Sequence, residues 1–145
     1  MKRKLLFVCL GNICRSPMAE FVMKDLAEKA GRAEDFEIES RGTSDWEHGN
    51  PIHKGTQGIF KQYEIPYSQS KASLQIRPED FGYFDEIYAL DSSNYQDLQA
   101  MSPASESHKI KMLVETGVPD PWYTGDFEET YRLVKSSCQK ILDEM

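Results

Sequence analysis

Apolar positions follow two rhythms along this chain. Leu5, Leu6, Phe7 and Val8 form an unbroken run, the pattern of a strand covered on both faces as in a parallel sheet. Met18, Val22, Leu26 and Ala30 then recur at helical spacing. Ser16 suits the N-cap of that helix, Pro17 its first position, and Gly31 its stop. Residues 36–40 alternate as a short strand, and "RGTSDWEHGNP" reads as a long turn-rich loop. Residues 53–63 predict a helix and 78–84 a short helix or turn. Residues 86–90 predict a strand ending in Asp91, followed by a helix over 93–101 and a last strand over 109–114. In the final helix Phe127, Tyr131, Val134, Cys138, Ile141, Leu142 and Met145 make one apolar stripe, and Asp126 with Glu129 supplies a capping-box-like start.

Strands that alternate with helices imply an α/β domain whose right-handed crossovers bury a mostly parallel sheet. Its 145 residues fit a single domain over 1–145, and no repeat, low-complexity tract or linker interrupts them. The start, "MKRKLLFVCL", has the basic-then-apolar order of an export signal. Its apolar stretch, 5–10, is shorter than a usual signal core and no small-residue cleavage pattern follows, so it reads as a buried strand. No segment approaches the ~20 apolar residues of a membrane span, so no membrane association is expected. A net charge of −7 argues against a general nucleic-acid binder, since phosphate backbones demand a basic surface. Three irregularly spaced cysteines do not make a disulfide framework and point to a reducing, cytoplasmic setting.

In such sheets ligands bind beyond the carboxyl ends of the strands, where "CLGNICRS" leaves the first one. Gly11 and Asn12 both tolerate left-handed backbone. The loop Leu10, Gly11, Asn12, Ile13, Cys14 can therefore curl and turn its N–H groups inward above a helix N-terminus. Such a nest binds a phosphate-like dianion, and Arg15 closes it with a planar fork for two oxygens. The same field favours the thiolate of Cys9, a nucleophile aimed at phosphorus. Ser16 is near enough to donate its hydroxyl to that sulfur. Expelling a poor leaving group from phosphorus calls for a proton, and "PDP" offers Asp120, restricted by prolines on both sides. His48, His53 and His108 show no metal-ligand spacing, and no metal or cofactor is expected.

With these residues in view, the sequence resembles the low-molecular-weight protein tyrosine phosphatases. The likeness is carried by "VCLGNICRSPMAE", "GTSDW", "EDFGYFDEIYALDSSN" and "VPDPWYTGDFEETY", and runs nearly end to end. It implies a flavodoxin-like (Rossmann-like) domain with a four-stranded parallel sheet flanked by helices. It also implies hydrolysis of phosphotyrosine in proteins or peptides through a cysteinyl-phosphate, with Asp120 as general acid and phosphate as product and competitive inhibitor. Trp46, Trp122 and Tyr123 match positions that form aromatic walls for the phenol ring, with Trp46 and Tyr123 the firmer and Trp122 reading nearly as well as a cap over the core. Asn12, Ser40 and Asp91 match positions that brace the loop. The resemblance further implies a reversible Cys9–Cys14 disulfide as a protective state. One departure stands out: the family's "S-H-x-A-R-Q" segment is replaced by "YSQSKASLQ", without the histidine and with Leu74 in place of its arginine. Two related activities compete. Protein arginine phosphatases carry a polar threonine where Ile13 stands, and arsenate reductases of this fold need further cysteines near the site, whereas Cys138 falls on a core stripe.

Overall fold

The central strand owes its place to side chains that are apolar on both faces. In the computed structural model, which describes residues 2–144, β1 (Arg3–Cys9) buries Leu5, Leu6, Phe7 and Val8 completely. Leu5, Phe7 and Cys9 point into one core and Leu6 and Val8 into another, the period-two alternation of a strand. Each fully buried large side chain contributes about 1.5–3 kcal/mol of transfer free energy, so this one strand anchors both layers.

Among the described residues, three more strands join it: β2 (Phe36–Gly42), β3 (Glu86–Ala89) and β4 (Ile110–Met112), in the order β2-β1-β3-β4. All three pairings are parallel, with Leu5 opposite Ile38 on one side and Glu86 on the other. The helices are α1 (Arg15–Lys29), α2 (Lys54–Gln62), α3 (Pro78–Tyr83), α4 (Ser92–Met101), α5 (Pro121–Thr124) and α6 (Phe127–Asp143). Helices α1, α2 and α6 cover the Phe7 face, where Phe21, Phe60 and Tyr67 cluster edge-on and tilted. Helices α3 and α4 cover the other through Phe81 and Leu98, helped by Phe84 just beyond α3. The result is the four-stranded parallel α/β sheet expected from the sequence.

Several local expectations need correction. Ser16 does not cap α1: the helix starts at Arg15 with Cys14 at the N-cap, and Pro17 lies in the third position. The α1 stripe fits only in its first half, since Leu26 is half-buried and Ala30 exposed while Met23 and Ala27 are buried. The buried face thus shifts by one position, to Met23 and Ala27, in the second half of the helix. Asp126 does accept from the Glu129 amide at 2.9 Å, and the α6 stripe is buried from Tyr131 to Leu142; Met145 lies outside the described residues. The one-turn α5 was not anticipated.

Away from the carboxyl ends of the strands, Glu86 opens β3 between Arg3, Tyr88 and Lys111. Burial works to raise its carboxyl, but hydrogen bonds from Arg3 and Tyr88, with the Arg3 charge, outweigh burial and hold it at about 2. Because its folded value lies below the ordinary 4.5, the group stabilises the fold above pH 4.5, and this contribution is lost as pH falls through about 2. Glu86→Gln is therefore expected to lower the urea midpoint at neutral pH, with the gap to wild type narrowing between pH 4.5 and 2. Urea titrations at a series of pH values check this; a gap independent of pH contradicts it.

Candidate active site

From β1 the chain crosses to β2, and from β3 to β4 on the opposite flank. A crevice opens where neighbouring strands part company in this way, at their carboxyl ends. Its floor is made by Cys9, Leu10, Gly11, Ile13, Cys14 and Arg15, and its rim by Trp46, Glu47, Asp120, Trp122 and Tyr123.

The loop after β1 is held from outside by its carbonyls. That of Cys9 accepts from the Thr43 amide (2.8 Å), and that of Leu10 from Ser44 Oγ (2.9 Å). That of Gly11 accepts from Ser73 Oγ (2.8 Å), that of Ile13 from the His53 amide (2.9 Å), and that of Cys14 from Thr56 Oγ1 (3.2 Å). With five carbonyls turned outward, the amides turn to the inside of the loop. The left-handed residue in the turn is Asn12 (φ 56°), whereas Gly11 is not left-handed. Asn12 tolerates the conformation because its side chain is fully employed. Its Nδ2 donates to Ser16 Oγ (2.8 Å) and Ser40 Oγ (3.0 Å), and its Oδ1 accepts from the Leu74 amide (3.0 Å). Gly42, at the end of β2, could carry no side chain: a Cβ there would stand 2.9 Å from Leu10 O and 3.1 Å from Ser44 O.

Cys9 Sγ sits at the centre of this loop, 3.0 Å from Ser16 Oγ and 3.3 Å from the Asn12 amide. Ser16 Oγ also lies 3.3 Å from Arg41 O and accepts from Asn12 Nδ2, so the hydroxyl is held beside the sulfur from two further sides. At Cys14, burial, then the neighbouring Cys9 and Asp120, push the thiol up to about 12. Arg15 is 2% exposed. Its Nη1 donates to Asp91 Oδ2 (2.6 Å) and Val118 O (3.0 Å), and its Nη2 to Asp120 Oδ2 (3.4 Å). Burial opposes its charge, but the facing Cys9, Asp91 and Asp120 outweigh burial and raise the guanidinium above its ordinary value. Asp120 caps α5, with its Oδ1 accepting from the Trp122 amide at 3.0 Å. Trp46 (74% exposed) and Tyr123 (79%) stand on the rim, and Trp122 (58%) is too exposed to cap the core.

The structure thus brings the sequence-derived residues together: Ser40 behind Asn12, Asp91 behind Arg15, and the aromatics around the mouth. Sequence reasoning missed the outer braces, Ser44, His53, Thr56 and Ser73, because each acts on a carbonyl at least 34 residues away. It also missed Glu47, whose Cγ would lie 3.3 Å from a Cβ on Gly11. The departing segment braces the loop after all, through Ser73, the Leu74 amide and Lys71, whose Nζ reaches Ser40 O (3.1 Å) and Glu20 Oε1 (3.2 Å).

Known proteins resemble this arrangement across nearly the whole chain. A family model described as "Low molecular weight phosphotyrosine protein phosphatase" matches residues 4–145. The low molecular weight protein-tyrosine-phosphatase PtpA of Staphylococcus epidermidis is 42% identical over 142 residues, covering 94% of this chain and 90% of its own. The crystal structure of SP-PTP, from Streptococcus pyogenes, superimposes with a TM-score of 0.93 at 55% identity, covering 99% of this chain and 93% of that one. DARP, the Drosophila arginine phosphatase, matches with a TM-score of 0.89 at 31% identity, covering 99% and 97%. On the family match and these identities, the chain belongs to the low molecular weight phosphotyrosine protein phosphatases.

Proposed function

We propose that this protein hydrolyses phosphotyrosine in proteins or peptides through a cysteinyl-phosphate formed on Cys9. The observation that carries the reading is the sulfur in the ring of amides, with Ser16 Oγ at 3.0 Å and the Arg15 guanidinium fixed by Asp91 at 2.6 Å. The substrate's phosphoryl oxygens take the inward amides of residues 10–12, 14 and 15, and Arg15 grips two of them. Cys9 Sγ attacks phosphorus, so that a P–S bond forms as the P–O bond to the phenol breaks. Asp120 gives its proton to the departing oxygen, turning a phenolate into a phenol. Asp120 then takes a proton from water as that water attacks phosphorus. The P–S bond breaks, inorganic phosphate leaves, and the sulfur departs as a thiolate stabilised by Ser16 Oγ and the Asn12 amide. Charge on the phosphoryl group is met by amides and Arg15, so no step requires a metal or cofactor.

The rim supports an aryl substrate. Trp46, Trp122 and Tyr123 offer faces for a phenol ring. Ile13, buried in the floor, presents an apolar surface where a guanidinium would seek a polar partner, which favours phosphotyrosine over phosphoarginine. Arsenate reduction needs a relay of thiols, and Cys138 is wholly buried under α1, its Sγ 3.9 Å from Ala19 O. The reading carries with it a reducing, cytoplasmic setting in which a thiolate persists, with free phosphate as a competitive inhibitor.

Two experiments test it. Phosphate release is measured from phosphotyrosine, phosphoserine and phosphoarginine peptides. Wild type is expected to act on the first alone, Cys9→Ser to be inactive, and Asp120→Asn to lose about 10²–10⁴-fold. Activity that survives the serine change would remove Cys9 from the mechanism. In the second, iodoacetamide at neutral pH is expected to label Cys9 and spare Cys14, whose thiol stands at about 12. Both lie in the tryptic peptide between Lys4 and Arg15, so fragment-ion mass spectrometry assigns the label. Equal labelling of the two cysteines would contradict the assignment.

A further inference from the structure

We infer that His53 is a positioning residue that ties the phosphate-binding loop to the turn carrying Asp120. The inference rests on the reading of Asp120 as proton donor. His53 meets both sides of the crevice. Its amide donates to Ile13 O at 2.9 Å, on the floor. Its ring stacks on Phe127 (centroids 5.2 Å apart, planes at 17°) and meets Trp122 edge to face (5.6 Å, 77°). The Trp122 amide in turn donates to Asp120 Oδ1 at 3.0 Å. A continuous path therefore runs from the loop around Cys9, through the imidazole, to the carboxyl over it.

The ring's orientation is itself fixed. His53 caps α2, its Nδ1 accepting from the Gly55 amide at 3.0 Å. Gly55 allows Phe127 to close over this joint, since a Cβ there would lie 2.3 Å from the Phe127 ring. Trp122 is otherwise an exposed side chain on a one-turn helix, and among the described residues His53 is its aromatic partner. Because the Trp122 amide holds the Asp120 carboxyl, packing of the Trp122 ring on His53 steadies the turn that carries it. Many residues cap a helix and many offer a ring; histidine at position 53 does both.

The alternative is that His53 only caps α2, and two variants separate the roles. His53→Asn keeps a cap acceptor and removes the ring, whereas His53→Phe keeps a ring and removes the cap. The readout is kcat/KM for phenyl phosphate, whose leaving group needs a proton, relative to a nitrophenyl ester, whose leaving group does not. Inhibition by phosphate and Tm are measured alongside, with Asp120→Asn as reference. His53→Asn is expected to lower kcat/KM on phenyl phosphate about tenfold, a modest misplacement of a proton donor. The nitrophenyl ester, the phosphate inhibition constant and Tm should stay close to wild type. His53→Phe should keep the wild-type ratio even where Tm falls. If Asp120→Asn shifts the ratio and His53→Asn does not, or if His53→Phe shifts it equally, the positioning role is wrong while the proton donor stands. If Asp120→Asn leaves the ratio unmoved, the proton donor reading fails and this inference with it.

Discussion

Everything at the crevice depends on the outward pull on five carbonyls between Cys9 and Cys14. A free loop of this length would let its amides and carbonyls face either way, and a carbonyl turned inward would repel both a thiolate and a phosphate. Thr43, Ser44, His53, Thr56 and Ser73 take the carbonyls instead. They come from the segment after β2, from the start of α2 and from the strap before α3. Packing of these elements on the sheet therefore sets the polarity of the loop's interior. The site is preorganised by the fold, and its donors need no reorganisation when charge develops on the phosphoryl group.

The same arrangement lets a protein of net charge −7 offer a site suited to a dianion, as the proposed function requires. The field over Cys9 comes from amide dipoles and one guanidinium rather than from a basic surface. Arg15 is already balanced by carboxylates, but unevenly. Asp91 holds Nη1 at 2.6 Å, a charged hydrogen bond of full strength, whereas Asp120 faces Nη2 at 3.4 Å. In the proposed reaction an incoming phosphoryl group competes with the weaker contact. That exchange releases Asp120 from Arg15 while Asp91 keeps its hold on the guanidinium.

Which parts could be read from the sequence follows from how local their causes are. Strand β1 was legible because four adjacent apolar residues sit between two cores. Cys9, Asn12, Arg15 and Ser16 were legible because strand, turn and helix follow one another within a few residues. Helix α6 announced itself by its stripe and by Asp126. The Ser16 cap was misread because its hydroxyl is taken by Asn12 and Cys9, contacts that exist only once the loop has curled. Helix α5 was hidden because a single turn has no periodicity, and only the Asp120 cap and Pro121 define it. The outer braces left no trace, since a serine or threonine that holds a distant carbonyl looks like any other loop residue.

The segment 70–75 shows why a departure from a family pattern need not open a gap. Glu20 is buried, 4% exposed, and accepts from Ser40 Oγ at 2.6 Å. A buried carboxylate without a cation would be costly. Lys24 answers it from one side at 2.7 Å, and Lys71, where the pattern has its histidine, from the other at 3.2 Å. Ser73 adds a hydroxyl that holds Gly11 O. The contact to Asn12 Oδ1 comes from the backbone amide of Leu74, which any non-proline residue supplies, so loss of the arginine side chain leaves it intact. Charge balance at Glu20 is thus met by lysine side chains, and the Asn12 carbonyl oxygen by a backbone amide. What such a site preserves is the set of satisfied groups around the left-handed turn, and several sequences satisfy them.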